Sequence, residues 1–179
     1  MNNINKVVLV FSIAIVFFGY KKIDANEDTI NWSIYKNPAY RYEIKYPEGW
    51  HYEKETDFTG KDNAVNFYPP GKKRTVEYSG DITIFYYRNP KGLSIDAFFN
   101  GSQGTCNYFL NEGGEKEYLL NDIKAKMFFK IKAGFESKPA NLVIPVKDKF
   151  FIISDVYTKY QDDLFFKMVS TFKLFEKEK

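Results

Sequence analysis

In the run YRYEIKYPEGWHYEKE, residues 40–55, the rings Tyr40, Tyr42 and Tyr46 and the aliphatic Ile44 alternate without a fault with Arg41, Glu43 and Lys45. Alternation with a period of two puts one set of side chains on each face of an extended strand, the pattern of a half-buried strand in an antiparallel sheet. Pro47-Glu48-Gly49 then supplies turn chemistry, Pro by presetting φ and Gly by accepting a left-handed position. The alternation resumes with Trp50 and Tyr52 inward and His51, Glu53 and Glu55 outward, so the expectation is a β-hairpin.

Further strands follow from the same signals. AVNFY (64–68) and DITIFYY (81–87) are short and rich in β-branched and aromatic residues. The segment 69–80 between them, PPGKKRTVEYSG, is long for a hairpin connection and full of breakers, as a loop would be. In GLSIDAFFN (92–100) Ser94 can cap a helix whose first turn holds Asp96. DIKAKMFFKIK (122–132) sends Ile123, Ala125, Met127, Phe129 and Ile131 one way and Lys124, Lys126, Lys130 and Lys132 the other. NLVIPV (141–146) and KFFIISDVY (149–157) make a second hairpin across Lys147-Asp148. Leu164, Phe165, Met168, Val169 and Phe172 form one stripe of an amphipathic helix that would lie on the apolar face of the sheet. The expected fold is α+β: an antiparallel β-sheet of about six to eight strands flanked by helices. Residues 101–117 carry no clear pattern. Aromatic residues reach 19%, with 18 Phe, 14 Tyr and 2 Trp, enough ring area for a single domain of this length to build its core.

The start of the chain has a different character. Lys6 precedes the apolar run VVLVFSIAIVFFGY (7–20), and the small residue Ala25 follows it. A basic start, a compact apolar run and a small residue at the exit make a secretory signal, and the run is shorter than the roughly 20 residues of a spanning helix. Residues 1–25 are therefore expected to be a signal peptide cleaved after Ala25, with an uncleaved N-terminal anchor as the alternative, because Lys21 and Lys22 sit behind the run. No cysteine ends the run, which argues against lipidation. The expected location is extracytoplasmic, secreted or periplasmic. Removing residues 1–25 takes Lys6, Lys21 and Lys22 from the 26 basic residues and Asp24 from the 23 acidic ones, leaving 23 and 22, a formal charge of +1. A near-neutral chain lacks the basic stripe of a nucleic-acid binder, and nucleic acid is not an expected partner.

His51, Glu53 and Glu55 share a strand face and are residue types that hold divalent cations, but neighbours on one strand point outward side by side and do not converge. The favoured reading is a solvated strand face. Cys106 is the one cysteine and His51 the one histidine, so any Ser-His or Cys-His chemistry would run through His51. Nothing in the sequence brings Cys106 to it, and a small buried thiol is the simpler reading. Asp162-Asp163 suits the first turn of the last helix. NEGGEKE (111–117) lacks the spacing and the Lys-Ser/Thr of a phosphate loop. No catalytic, cofactor-binding or metal-ligating residue is assigned, no cofactor is expected, and the chain does not read as an enzyme. Two basic features remain as contact surfaces, Lys72-Lys73-Arg74 in the loop 69–78 and the lysine row of strand 122–132. The favoured reading of both is solubility and edge protection, and exposed aromatics with the loop 69–78 are the surface expected to meet a partner or, peripherally, anionic headgroups.

The run YRYEIKYPEGW, the helix start GLSIDAFF, the strand DIKAKMFFKIK and the ending FFKMVSTFKLF together resemble the PsbP-like family. The most telling parts are Tyr46, Pro47 and Trp50, and the closing Ser170-Thr171-Phe172-Lys173, within a likeness that covers most of residues 30–175. The resemblance implies a PsbP-like domain over residues 26–179, an antiparallel sheet flanked by helices. It also implies a non-catalytic role, since the well-known relatives, extrinsic photosystem II subunits and a nuclear-import factor that binds the Ran GTPase, act by docking on larger assemblies. Bacterial relatives are often lipoproteins, a pattern from which this chain departs. The expected function is that of an exported accessory protein docking on, or assisting assembly of, an envelope protein complex. The alternative is a small-ligand or divalent-cation-binding protein with a pocket between sheet and helices.

Overall fold

The computed structural model describes residues 21–22, 29–56, 62–75, 80–100, 114–131, 137–155 and 162–176. In chain order the elements are β1 (Lys21–Lys22), β2 (Ser33–Asn37), β3 (Tyr42–Tyr46), β4 (His51–Thr56), β5 (Asp62–Tyr68), β6 (Ile82–Arg88), α1 (Ile95–Asn100), β7 (Glu115–Leu120), β8 (Ile123–Ile131), β9 (Ser137–Val146), β10 (Lys149–Asp155), α2 (Asp162–Ser170) and β11 (Lys173–Leu174). The strands form an eight-stranded sheet in the order β1-β7-β8-β9-β10-β6-β5-β4 and a three-stranded sheet in the order β11-β3-β2. Neighbours pair antiparallel except for β1, which runs parallel to β7. This is the expected α+β sandwich, with a second sheet that the sequence reading did not separate.

The expected hairpin at residues 40–55 is overturned. β3 pairs with β2 along one edge and β11 along the other, so no edge is left for β4, which pairs instead with β5 in the larger sheet. The turn itself forms, with Trp50 N–H donating to the Pro47 carbonyl at 3.2 Å and Gly49 at φ +78°. It carries the chain from one sheet to the other. The rings of Tyr46 and Tyr52 still meet, at 6.0 Å, but across the space between the sheets. Alternation specifies which side chains share a face, and it does not name the neighbouring strand.

The main core lies between the two sheets. Tyr35, Tyr42 and Ile44 of the small sheet meet Phe67, Ile84, Met127, Leu142, Phe151 and Ile153 of the large one. α2 closes this layer with Phe165, Met168 and Val169, the stripe expected from the sequence, packing on β3 and β9. Phe172, just beyond α2, stacks on Tyr42 at 5.4 Å and meets Phe151 edge-on at 5.3 Å.

The opposite face of the large sheet is also covered. Phe128, Val143, Phe150 and Ile152 pack there with Ile95 and Phe98 of α1. α1 starts as read, with Ala97 N–H donating to Ser94 Oγ at 3.1 Å. Burial on both faces explains why Phe150 through Ile153 form an unbroken apolar run. It also corrects the lysine row of β8. Lys126 is not a solvated cation but donates to Asp96 of α1 at 2.7 Å and to Glu115 of β7 at 3.0 Å. Burial alone would lower its ammonium, yet those two hydrogen bonds outweigh it and hold the group above the ordinary lysine range. The Lys147-Asp148 hairpin stands as expected, with Lys149 paired to Val146.

Candidate functional site

Loop 69–75 and the outer side of β4 form one unit. Pro69 is buried, Lys72 N–H donates to the Pro69 carbonyl at 3.1 Å, and a Cβ on Gly49 would stand 3.5 Å from Pro70. Arg74 Nη2 reaches back to Glu55 Oε1 at 2.8 Å. The loop is thus tied at both ends, and Lys72 and Lys73 are exposed between the ties. Of the expected basic cluster, Arg74 is the member held in an ion pair. Residues 76–78 of the expected contact loop lie outside the described residues.

The strand face beneath departs from the reading of a wholly solvated surface. His51 is exposed and stacks on Tyr68, ring centroids 5.2 Å apart and planes at 14°. Glu53 and Glu55 are half-buried. Tyr68 itself is fully buried and offers no exposed ring beside the loop. Burial raises its hydroxyl above the ordinary tyrosine range and the Glu53 carboxylate adds to the shift, while Arg74 opposes it. Tyr52 faces the small sheet and remains 42% exposed, with its ring 4.6 Å from Tyr35.

From Glu55 a polar network runs into the sheet. Asn66 Nδ2 donates to Glu55 Oε2 at 3.3 Å, and Thr83 Oγ1 donates to Asn66 Oδ1 at 2.7 Å. Strand pairing continues the row from Thr83 to Ser154 and from Ser154 to Asn141, whose Oδ1 accepts from Ser154 Oγ at 2.5 Å. Asn66, Thr83, Ser154 and Asn141 are all buried. Sequence reading missed this row, although Asn66 shares a strand face with Ala64 and Tyr68, and that interruption of apolar positions was a usable signal. Its chemistry is cohesive: Ser154 Oγ is bonded to an amide oxygen, which is no base, and His51 lies three strand spacings from β10, about 14 Å at ~4.8 Å each.

The chain crosses this row at Gly80, where φ is +110° and an added Cβ would stand 3.1 Å from both Asn66 Cβ and the Phe67 carbonyl oxygen. Gly80→Ala is expected to cost about 2–4 kcal/mol, strain and contact together. Gly71→Ala, at φ +73° with nothing within 4 Å, should cost only about 1–2 kcal/mol. Urea unfolding of the two variants measures the difference, and equal losses would contradict the close approach at Gly80.

Among the described residues no group of three His, Cys, Asp or Glu side chains could hold a metal ion. Cys106 and residues 111–113 of NEGGEKE lie outside the described residues, as does the apolar run 7–20, while Glu115, Lys116 and Glu117 begin β7. Asp163 is exposed at the start of α2. A cavity of about 60 Å³ is lined by Thr29, Ile34, Glu43, Ile44, Lys45, Thr171 and Lys173 on the small sheet, far below the ~300 Å³ or more of a typical small-molecule site.

No family model matches the sequence, and no curated protein matches it. Solved structures do. A crystal structure of a protein from Bacteroides thetaiotaomicron VPI-5482 superposes with a TM-score of 0.52 at 9% identity, covering 81% of this chain and 49% of that one. This chain thus spans about half the length of that protein. The solution structure of cyanobacterial PsbP (CyanoP) from Synechocystis sp. PCC 6803 aligns with a TM-score of 0.46 at 15% identity, covering 80% of this chain and 92% of that one. The first of these superpositions shows a shared fold. At such identities the likeness concerns the fold and carries no residue roles.

Proposed function

We propose that this chain is a non-catalytic accessory protein that docks on an acidic surface of an envelope protein complex through Lys72 and Lys73. The observation that carries the reading is the pinned loop: a buried Pro69 at one end and the Arg74–Glu55 pair at the other hold two exposed ammonium groups on a fixed backbone. A preordered loop loses little conformational freedom on binding, and paired like charges steer an anionic partner and set its register. The neighbouring His51–Tyr68 stack adds a flat rim to the same side. Export rests on the sequence of residues 1–25, with its basic start, apolar run and Ala25.

The test is a crosslinked pull-down of tagged full chain from native envelopes. The wild type should retain one stoichiometric complex, and Lys72→Glu with Lys73→Glu should retain about tenfold less or lower while melting at the same temperature. Equal capture by both proteins would refute docking through the loop.

A further inference from the structure

A second surface, on the far side of the small sheet from the core, has a different chemistry. Strand register aligns Lys36, Glu43 and Lys173 in one row across β2, β3 and β11, and Ile34 with Lys45 in the next. Lys36 pairs with Glu43 at 3.1 Å, and Lys45 Nζ donates to the Thr29 carbonyl at 3.2 Å, which brings the turn carrying Ile30 beside Ile34. Among the described residues of these two rows the face therefore offers three ammonium groups, Lys36 paired with Glu43, Lys45 on the Thr29 carbonyl and Lys173, against one carboxylate, around two isoleucines that are 81% and 52% exposed, Ile30 and Ile34. Exposed large aliphatic side chains set among lysines differ from an ordinary solvated strand face, where lysine alternates with polar residues.

We propose that this face rests on an anionic lipid surface. Two properties of the chain select a membrane over an acidic protein. The interfacial region of a bilayer accepts both components together, the isoleucines at the acyl boundary and the lysines, by extension of their stems, at the headgroup phosphates. The second property is the position of the apolar run 7–20. It leads directly into Lys21–Lys22, which pairs with Tyr118–Leu119 of β7. Two residues on, Asn121 Nδ2 donates to the Phe172 carbonyl at 2.7 Å, next to Lys173 of this face. Ten Cα-to-Cα steps lead from Tyr20, the end of the run, to Ile30, a span of at most ~35 Å. A run held at the bilayer, before cleavage or as a lasting anchor, keeps this sheet within reach of the headgroups. Loop 69–75 is tied through Arg74 to Glu55 on the face of the large sheet turned away from the small one, and stays open to a protein partner.

Hydrogen exchange of the full chain on vesicles tests this. On vesicles containing phosphatidylglycerol, amides of residues 29–36 and 43–45 should exchange about tenfold more slowly than on phosphatidylcholine vesicles. Lys173→Glu, or Ile30→Ser at a side chain that is already 81% exposed, should remove that protection, and Lys72→Glu with Lys73→Glu should leave it intact. The proposal is overturned if exchange is the same on both lipids, or if protection appears at 69–75 in its place. Protection that forms without vesicles and grows with protein concentration would equally overturn it, pointing to a second copy of the chain.

Discussion

Phe172→Ala is expected to destabilise the protein by about 3–5 kcal/mol and lower Tm by about 6–20 °C. Phe172 is 1% exposed, and its ring touches one ring from each sheet, Tyr42 of β3 and Phe151 of β10. Its backbone carbonyl accepts from Asn121, tying the same residue to the β7–β8 turn. Deleting the ring removes the transfer free energy of its atoms and leaves a cavity bounded by two sheets and α2, which cannot all collapse at once. Phe172→Leu should recover most of the loss, since it keeps much of the volume. Calorimetry or urea unfolding decides it, and a change below about 1 kcal/mol for the alanine variant would mean that the sheets do not share this core.

Asn66→Asp tests the polar row and brings a pH dependence with a definite sign. Asn66 is 1% exposed and donates to Glu55, whose other oxygen already pairs with Arg74. An aspartate there loses the donor and sets a buried carboxylate against the half-buried one of Glu55, at a cost of about 2–4 kcal/mol at pH 7. Burial and the Glu55 charge both raise the new carboxyl above its unfolded value of about 3.9, so the folded state holds the proton over a range where the unfolded state has lost it. Stability of the variant relative to the wild type therefore falls as pH rises through that range and recovers below it. Urea unfolding at pH 4 and pH 7 should show a small deficit at the first and a large one at the second. The same deficit at both would sink the account of the row.

Much of the fold was legible because the strong signals are local. The amphipathic stripe of α2, the Ser94 cap of α1 and the hairpin at Lys147-Asp148 depend on spacings of a few residues, and each appears where it was read. Pairing across sequence was not legible. Tyr42–Tyr46 was read correctly as a strand with its rings inward, but its partners are Ser33–Asn37, whose five residues include one large ring, and the two-residue Lys173–Leu174. The first has too few apolar side chains to announce itself as a strand, and the second is too short. β7 was hidden for a related reason, since Glu115, Lys116 and Glu117 precede its only apolar residues. Lys126 was misread because a lysine facing solvent and one facing two carboxylates under a short helix leave the same mark in a sequence. At the candidate site, the basic loop and the His51 face were visible, whereas the Arg74–Glu55 tie joins residues 19 apart and emerges only from folding.

The docking claim is tested most directly by a photo-crosslinking amino acid placed at Lys73 in the full chain, irradiated in intact cells, with Asp163 on α2 as the comparison position. Both side chains are exposed, so the reagent has equal access to solvent at each. One discrete higher-mass product, containing a single partner protein, is expected from position 73, and none from position 163. No product from position 73, or the same set of products from both positions, would contradict the docking claim.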